Sequence, residues 1–108
     1  MYKIKISKLY KEDTASCYDY IKNKLEAPMA ANNLKKEIKE KINKIKENPN
    51  IRPLVQDKYL ALLGFRSINV KNYVIFYIIG EDNNSLNLVR FLHSRRNWIN
   101  IIREAINK

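Results

Sequence analysis

Gly64-Phe65-Arg66-Ser67-Ile68-Asn69-Val70-Lys71-Asn72-Tyr73-Val74-Ile75-Phe76-Tyr77-Ile78-Ile79 opens the stretch that decides the fold, which runs on to His93-Ser94-Arg95-Arg96-Asn97-Trp98. Phe65 to Val70 and Tyr73 to Ile79 are rich in β-branched and aromatic residues, which suit a pleated, half-buried surface. They flank Lys71-Asn72, and asparagine tolerates the positive φ of a tight turn, so the pattern predicts a β-hairpin. Gly80 to Ser85 reads as a polar turn and Leu86 to His93 as the next strand. The segment after it gathers the only histidine, two adjacent arginines and the only tryptophan, and function is sought there first.

Outward from this hairpin, Tyr2, Ile4 and Ile6 alternate with lysines, a period of two that predicts an N-terminal strand. Leu9, Asp13, Cys17, Tyr20, Ile21 and Leu25 recur at helical spacing, and Pro28 suits the first turn of a second helix. Ala31, Leu34, Ile38, Ile42 and Ile45 form the apolar stripe of that second helix. Glu37 with Lys41 and Glu40 with Lys44 are i,i+4 pairs on its outer side, and Asn48-Pro49-Asn50 ends it. Arg52 to Leu63 is irregular, and Tyr59 to Leu63 is readable as strand or as loop packed on the core. Trp98, Ile101, Ile102 and Ala105 predict a short terminal helix from about Asn97. The expected fold is α+β: an N-terminal strand, a helical hairpin, antiparallel strands forming one sheet and a short C-terminal helix, with residues 1–108 as one domain.

Hydrophobic residues make up 45% of the 108 and only two are glycine, as in a packed domain rather than a disordered chain. No apolar run reaches the roughly 20 residues that cross a bilayer, and the alternating N-terminus is no signal-peptide core, so the expected location is the cytoplasm with no membrane partner. Cys17 is the only cysteine, which excludes an internal disulfide; with one histidine, a Cys/His zinc site cannot form within one copy. No metal and no cofactor is expected, and Cys17 reads as a small buried hydrophobe.

A net charge of +10 favours polyanionic or acidic partners. All six arginines, Arg52, Arg66, Arg90, Arg95, Arg96 and Arg103, lie from residue 52 onward, whereas the earlier chain carries lysine alone. The planar guanidinium grips phosphate and carboxylate at two points, so the later part reads as the binding part. Metal-free RNA cleavage needs a proton acceptor and cations around the phosphorane. His93 with Arg66 and Arg90 is the candidate catalytic set. Arg95, Arg96, Trp98, Tyr73 and Lys71 are the candidates for holding a target or phosphate. Tyr73, Tyr77 or Trp98 could stack on an unpaired base. Strand alternation puts His93 on one face with Val89 and Phe91, and Arg90 on the other with Leu88 and Leu92. The competing structural readings are an Arg90 paired with a carboxylate such as Asp19, core roles for Tyr73, Phe76 and Tyr77, and a Trp98 that anchors the last helix.

The hairpin from Gly64 to Tyr77, followed by Val89-Arg90-Phe91-Leu92-His93-Ser94-Arg95-Arg96-Asn97-Trp98, resembles the RelE/ParE superfamily of bacterial type II toxins, as does Tyr18-Asp19-Tyr20-Ile21 in the helical hairpin. The resemblance spans nearly the whole chain. It implies a growth-arresting toxin of a plasmid stabilisation module, neutralised by a cognate antitoxin through which alone it would meet operator DNA. RelE-like members cut messenger RNA in the ribosomal A site; ParE-like members inhibit DNA gyrase. Many RelE-like nucleases resemble Tyr-Arg in the hairpin, where this chain has Tyr73-Val74, and Trp98 stands at the terminal tyrosine position of some members. The sequence is therefore closer to the ParE-like branch, which implies a protein target contacted by Arg95, Arg96 and Trp98. The alternatives are a ribosome-dependent endoribonuclease and a basic nucleic-acid-binding module that only shares the fold.

Overall fold

The computed structural model describes residues 2–80, 82 and 84–106. In chain order it has β1 (Lys3–Ile6), α1 (Lys8–Asp19) continued by a π-helical turn (Tyr20–Lys24), α2 (Pro28–Glu47), a short 3-10 turn (Pro49–Ile51), α3 (Lys58–Leu62), β2 (Phe65–Val70), β3 (Tyr73–Ile79), β4 (Ser85–His93) and α4 (Trp98–Ile106). The sheet order is β1-β4-β3-β2, with β1 parallel to β4 and the other pairs antiparallel. The expected α+β architecture is observed, with α3 added. The apolar run at Tyr59 is thus neither strand nor loop but one helical turn, capped where the Asp57 carboxylate accepts the Leu60 N–H at 3.0 Å.

The sheet is covered on both faces. The helical hairpin lies on one, where Tyr10, Leu34, Ile38 and Ile45 meet Ile68, Val70, Ile75, Tyr77, Leu86, Leu88 and Phe91. On the other face, α3 and α4 bring Leu60 and Ile102 against Phe65, Val74, Phe76 and Leu92. The period-two pattern of β2 and β3 therefore feeds two cores, each with one side of the pleat.

Strand β4 breaks that pattern once. Phe76 stands opposite Arg90 but Tyr77 stands opposite Leu88, so Val89 is an extra residue, a β-bulge. Leu88 and Phe91 then share one core while Leu92 lies in the other. The expected grouping of Arg90 with both Leu88 and Leu92 fails for this reason: the bulge resets the alternation between them.

Two other expectations are corrected by local detail. In the β2–β3 turn the positive φ, 55°, belongs to Lys71 and not to Asn72. The outer charges of α2 do not close into i,i+4 bridges; among the described residues the ion pairs are Arg90–Asp13 and Arg103–Asp57. Exposed lysine–glutamate pairs gain too little to hold two long side chains together.

Of the polar turn before β4, Glu81 and Asn83 lie outside the described residues. Its remaining groups are tightly tied: Gly80 N–H donates to Ser85 O at 2.8 Å, and Asp82 Oδ1 accepts from Asn84 N–H at 3.0 Å. A Cβ on Gly80 would sit 2.0 Å from Ser85 Oγ, so any other residue there would force the Ser85 hydroxyl away from Asp82 Oδ1. No described helix is long and apolar enough to cross a membrane.

Candidate functional site

The turn that follows β4 is built from backbone hydrogen bonds to its neighbours. Ser94 N–H donates to Asn72 O at 2.8 Å, which ties this turn to the tip of the β2–β3 hairpin. Arg96 N–H donates to His93 O at 3.0 Å and Trp98 N–H to Arg96 O at 2.8 Å, which turns the chain into α4. Lys71, Arg95 and Arg96 consequently share one end of the sheet, and all three are exposed. Neither Arg95 nor Arg96 makes an ion pair among the described residues.

Beside this end lies an open cleft of about 590 Å³ between α1 and β4, lined by Leu9, Glu12, Asp13, Ser16, Cys17, Tyr20, Tyr73, Arg90, Phe91, Leu92, His93 and Arg96. Its position follows from the short β1. Pairing with β1 covers β4 only as far as Leu88, and side chains of the α1 segment take over the exposed edge. The Ser7 hydroxyl donates to Val89 O at 2.7 Å and accepts Tyr10 N–H at 3.0 Å, so one residue both covers the bulge and caps α1. One turn later Asp13 accepts Arg90 Nε at 2.8 Å, Arg90 Nη2 at 2.9 Å and Phe91 N–H at 3.0 Å. Arg90 is thus structurally paired, with Asp13 and not the expected Asp19; Asp19 instead accepts from Asn23 Nδ2 at 2.7 Å.

The sequence-derived candidates separate accordingly. His93 and Arg90 line the same cleft after all, because the bulge at Val89 turns Arg90 toward α1. His93 Nδ1 accepts the Arg95 N–H at 3.1 Å, an interaction that leaves the proton of the neutral ring on Nε2. Arg66 is not in this group. From the strand register it lies about 13 Å along the sheet and about 10 Å across it from His93. Its guanidinium donates to Arg52 O instead.

Tyr73 is packed between its neighbours, stacked on Phe91 at 5.0 Å and edge-on to His93 at 5.3 Å. Burial, followed by its hydrogen bond with Cys17, pushes the Tyr73 hydroxyl up to about 12. Cys17 is half-buried rather than buried, and burial pushes its thiol up while the bond with Tyr73 opposes that shift. Tyr77 is fully buried with its hydroxyl donating to Pro49 O at 2.8 Å, so it offers no face to a base. Trp98 stacks on Phe76 at 4.9 Å, which anchors α4, and keeps part of its surface in solvent. The residue missed in this cleft is Asp13. Its signal was a carboxylate at a stripe position between Leu9 and Cys17, where a solvated charge does not belong. No group of three or more His, Cys, Asp and Glu side chains among the described residues could hold a metal.

A family model described as the ParE toxin of the type II toxin–antitoxin system parDE matches residues 4–98. Among solved structures, the chain resembles one from the chromosomal ParDE toxin–antitoxin system of P. aeruginosa with a TM-score of 0.67 at 16% identity, covering 86% of this chain and 96% of that one. It also resembles one from the toxin–antitoxin complex RelBE2 of Mycobacterium tuberculosis with a TM-score of 0.58 at 12% identity, covering 85% and 96%. No curated protein matches the chain.

Proposed function

We propose, from the premise that the chain belongs to the ParE toxin family of type II toxin–antitoxin systems, that it arrests growth by inhibiting DNA gyrase and that Arg95 and Arg96 are its principal contacts. The protein is a toxin of a type II system, and a cognate antitoxin is its partner. The site of action of such an inhibitor is the cytoplasm, and the module's role is plasmid stabilisation.

The observation that carries the choice of target is the fate of the arginines. A nuclease needs several cations converging on one phosphate. Here Arg90 is held by Asp13, Arg66 is held by Arg52 O far along the sheet, and His93 commits Nδ1 to a backbone N–H. Arg95 and Arg96 alone of this set point into solvent without a carboxylate. Adjacent unpaired guanidiniums on a turn fixed at both ends suit an interface, where pre-organised arginines carry much of the binding energy. Trp98 contributes its exposed edge and Lys71 the flanking charge.

The test combines two readouts after brief induction of the toxin. Gyrase supercoiling inhibited by the purified protein, with messenger RNA 5′ ends unchanged in the induced cells, is the expected result. New 5′ ends within translated codons, with gyrase unaffected, would overturn it in favour of a ribosome-dependent endoribonuclease.

A further inference from the structure

The charges of α2 are not mixed evenly around the helix. At about 100° per residue, Lys35, Lys39 and Lys46 fall within about 40° of one another, and every glutamate of α2 lies about 80° or more from each of them. Glu37 and Glu40 share the opposite flank with Lys41 and Lys44, and those two lysines line a cleft with Ile68 and Asn69 of β2. The other lysine flank faces α1, because Lys35 Nζ sits 4.9 Å from the centre of the Tyr18 ring. Tyr18 belongs to a row of its own, Lys11, Ala15, Tyr18 and Lys22, whose spacing of four, three and four residues is that of one helical stripe.

Lys11, Lys22, Lys35 and Lys39 are exposed and Lys46 is half-buried. None of the five makes an ion pair among the described residues. The carboxylates of α1 are engaged elsewhere: Glu12 and Asp13 line the α1–β4 cleft, and Asp19 accepts from Asn23. Each row, from Lys11 to Lys22 and from Lys35 to Lys46, is about 16 Å long, and packed helices stand about 8–10 Å apart. The cations are thus spread over a surface rather than gathered around a point, which suits a line of phosphates and not a single nucleotide. Protein interfaces are depleted in lysine and rest on arginine and aromatic anchors. The aromatic ring here, Tyr18, is half-buried beneath Lys35, so it offers neither an anchor nor a platform for an unpaired base. Recognition of an RNA duplex rests on its shape and its 2′-hydroxyls, whereas this face is defined by charge.

We propose that this outer face of the α1–α2 hairpin binds the phosphate backbone of double-stranded DNA without regard to sequence, through Lys11, Lys22, Lys35, Lys39 and Lys46. Lysine suits the task, since a mobile point charge meets a phosphate without reading the bases. The face is a second binding surface, distinct from the sheet end that carries Arg95 and Arg96, and it does not depend on which target those arginines contact.

The test is fluorescence anisotropy of the full-length protein with a labelled mixed-sequence DNA duplex over a series of salt concentrations. A duplex of unrelated sequence, an RNA duplex, a DNA single strand and anionic phospholipid vesicles serve as comparison probes. The expected result is equal affinity for the two DNA duplexes, roughly 10⁻⁴–10⁻⁶ M at physiological salt, and weaker binding of the other probes. The logarithm of the affinity should fall against the logarithm of the salt concentration with a slope of about −4 to −5, for five lysine–phosphate contacts. Lys35→Gln with Lys39→Gln is expected to make that slope shallower by about 2 and to weaken binding about tenfold at low salt. Lys41→Gln with Lys44→Gln removes the same charge from the opposite flank of the same helix and is expected to change the affinity by less than about twofold. Glutamine is as good a helix former as lysine, so both double variants keep the fold. Equal losses in the two would show that net charge alone acts and would overturn the proposal. Absence of duplex binding would overturn it too, as would binding of the single strand, the RNA duplex or the vesicles as tight as that of the DNA duplex.

Discussion

The Asp13 carboxylate holds the Arg90 guanidinium through Nε at 2.8 Å and Nη2 at 2.9 Å while its Oδ2 also accepts the Phe91 N–H at 3.0 Å. One side chain of α1 therefore neutralises the one charge that the bulge brings to the core margin and closes the β4 edge where β1 has ended. Both partners are mostly buried, with side-chain exposures of 12% for Arg90 and 14% for Asp13. Asp13→Ala is expected to cost about 2–4 kcal/mol, because it leaves a largely desolvated cation and a backbone donor without partners. Arg90→Met should cost less, since the orphaned carboxylate retains the Phe91 N–H and borders an open cleft. Denaturant unfolding of the two single variants and the double variant checks this; simple additivity would mean that the pair is not coupled, and equal single costs that the orphaned carboxylate fares no better than the orphaned cation.

If the proposed target contact is right, Arg95→Glu with Arg96→Glu should abolish growth arrest while leaving stability within about 0.5 kcal/mol, because both side chains are exposed and make no ion pair among the described residues. His93→Ala should keep the growth arrest and lose about 1 kcal/mol of stability with the hydrogen bond from the Arg95 N–H. Viable counts after induction, set beside thermal unfolding of the purified variants, measure both. Loss of arrest in His93→Ala with the fold retained would return the histidine to catalysis.

The fold was legible wherever a local pattern decided it. Tyr73 to Ile79 announces a strand by composition, and Ala31 to Ile45 a helix by spacing, since each pattern is a property of consecutive residues. The bulge at Val89 was not legible, because whether one or two residues of β4 oppose a step of β3 depends on the partner strand. The pairing of Asp13 with Arg90 spans 77 positions, so sequence offers several carboxylates and geometry chooses one. Helix α3 was hidden in a short apolar run, although Asp57 three residues before Leu60 carried the capping signal. Of the site, the positions of Arg95 and Arg96 could be read from their doublet at a strand end; the removal of Arg66 from that end could not, because it depends on strand order.

Trp98→Ala should cost about 2–3 kcal/mol by removing the ring stacked on Phe76, which anchors α4 to the sheet. Trp98→Phe should recover most of that stability. The pair separates anchoring from contact: if Trp98→Phe is stable yet lacks the gyrase inhibition proposed for the parent, the exposed indole edge touches the target directly. Equal inhibition by Trp98→Phe and the parent would place the residue's role in holding α4 and the preceding turn.

Stability should fall as pH rises above about 10, and Tyr73 should account for part of the fall. The folded chain keeps the Tyr73 proton up to about 12, chiefly because burial disfavours the phenolate, whereas the unfolded chain releases it from the ordinary value of 10.0. Between those two values the unfolded state gains free energy by ionising and the folded state does not, so the contribution is complete below 10 and is lost as pH climbs toward 12. Tyr10, Tyr18 and Tyr77 are also shifted upward, burial being the first cause for each, and steepen the same limb. Tyr73→Phe should therefore flatten the decline in melting temperature between pH 10 and 12 without removing it, as followed by far-UV circular dichroism. A decline of unchanged slope in Tyr73→Phe would show that the hydroxyl is solvated and that its contact with Cys17 holds no proton in place.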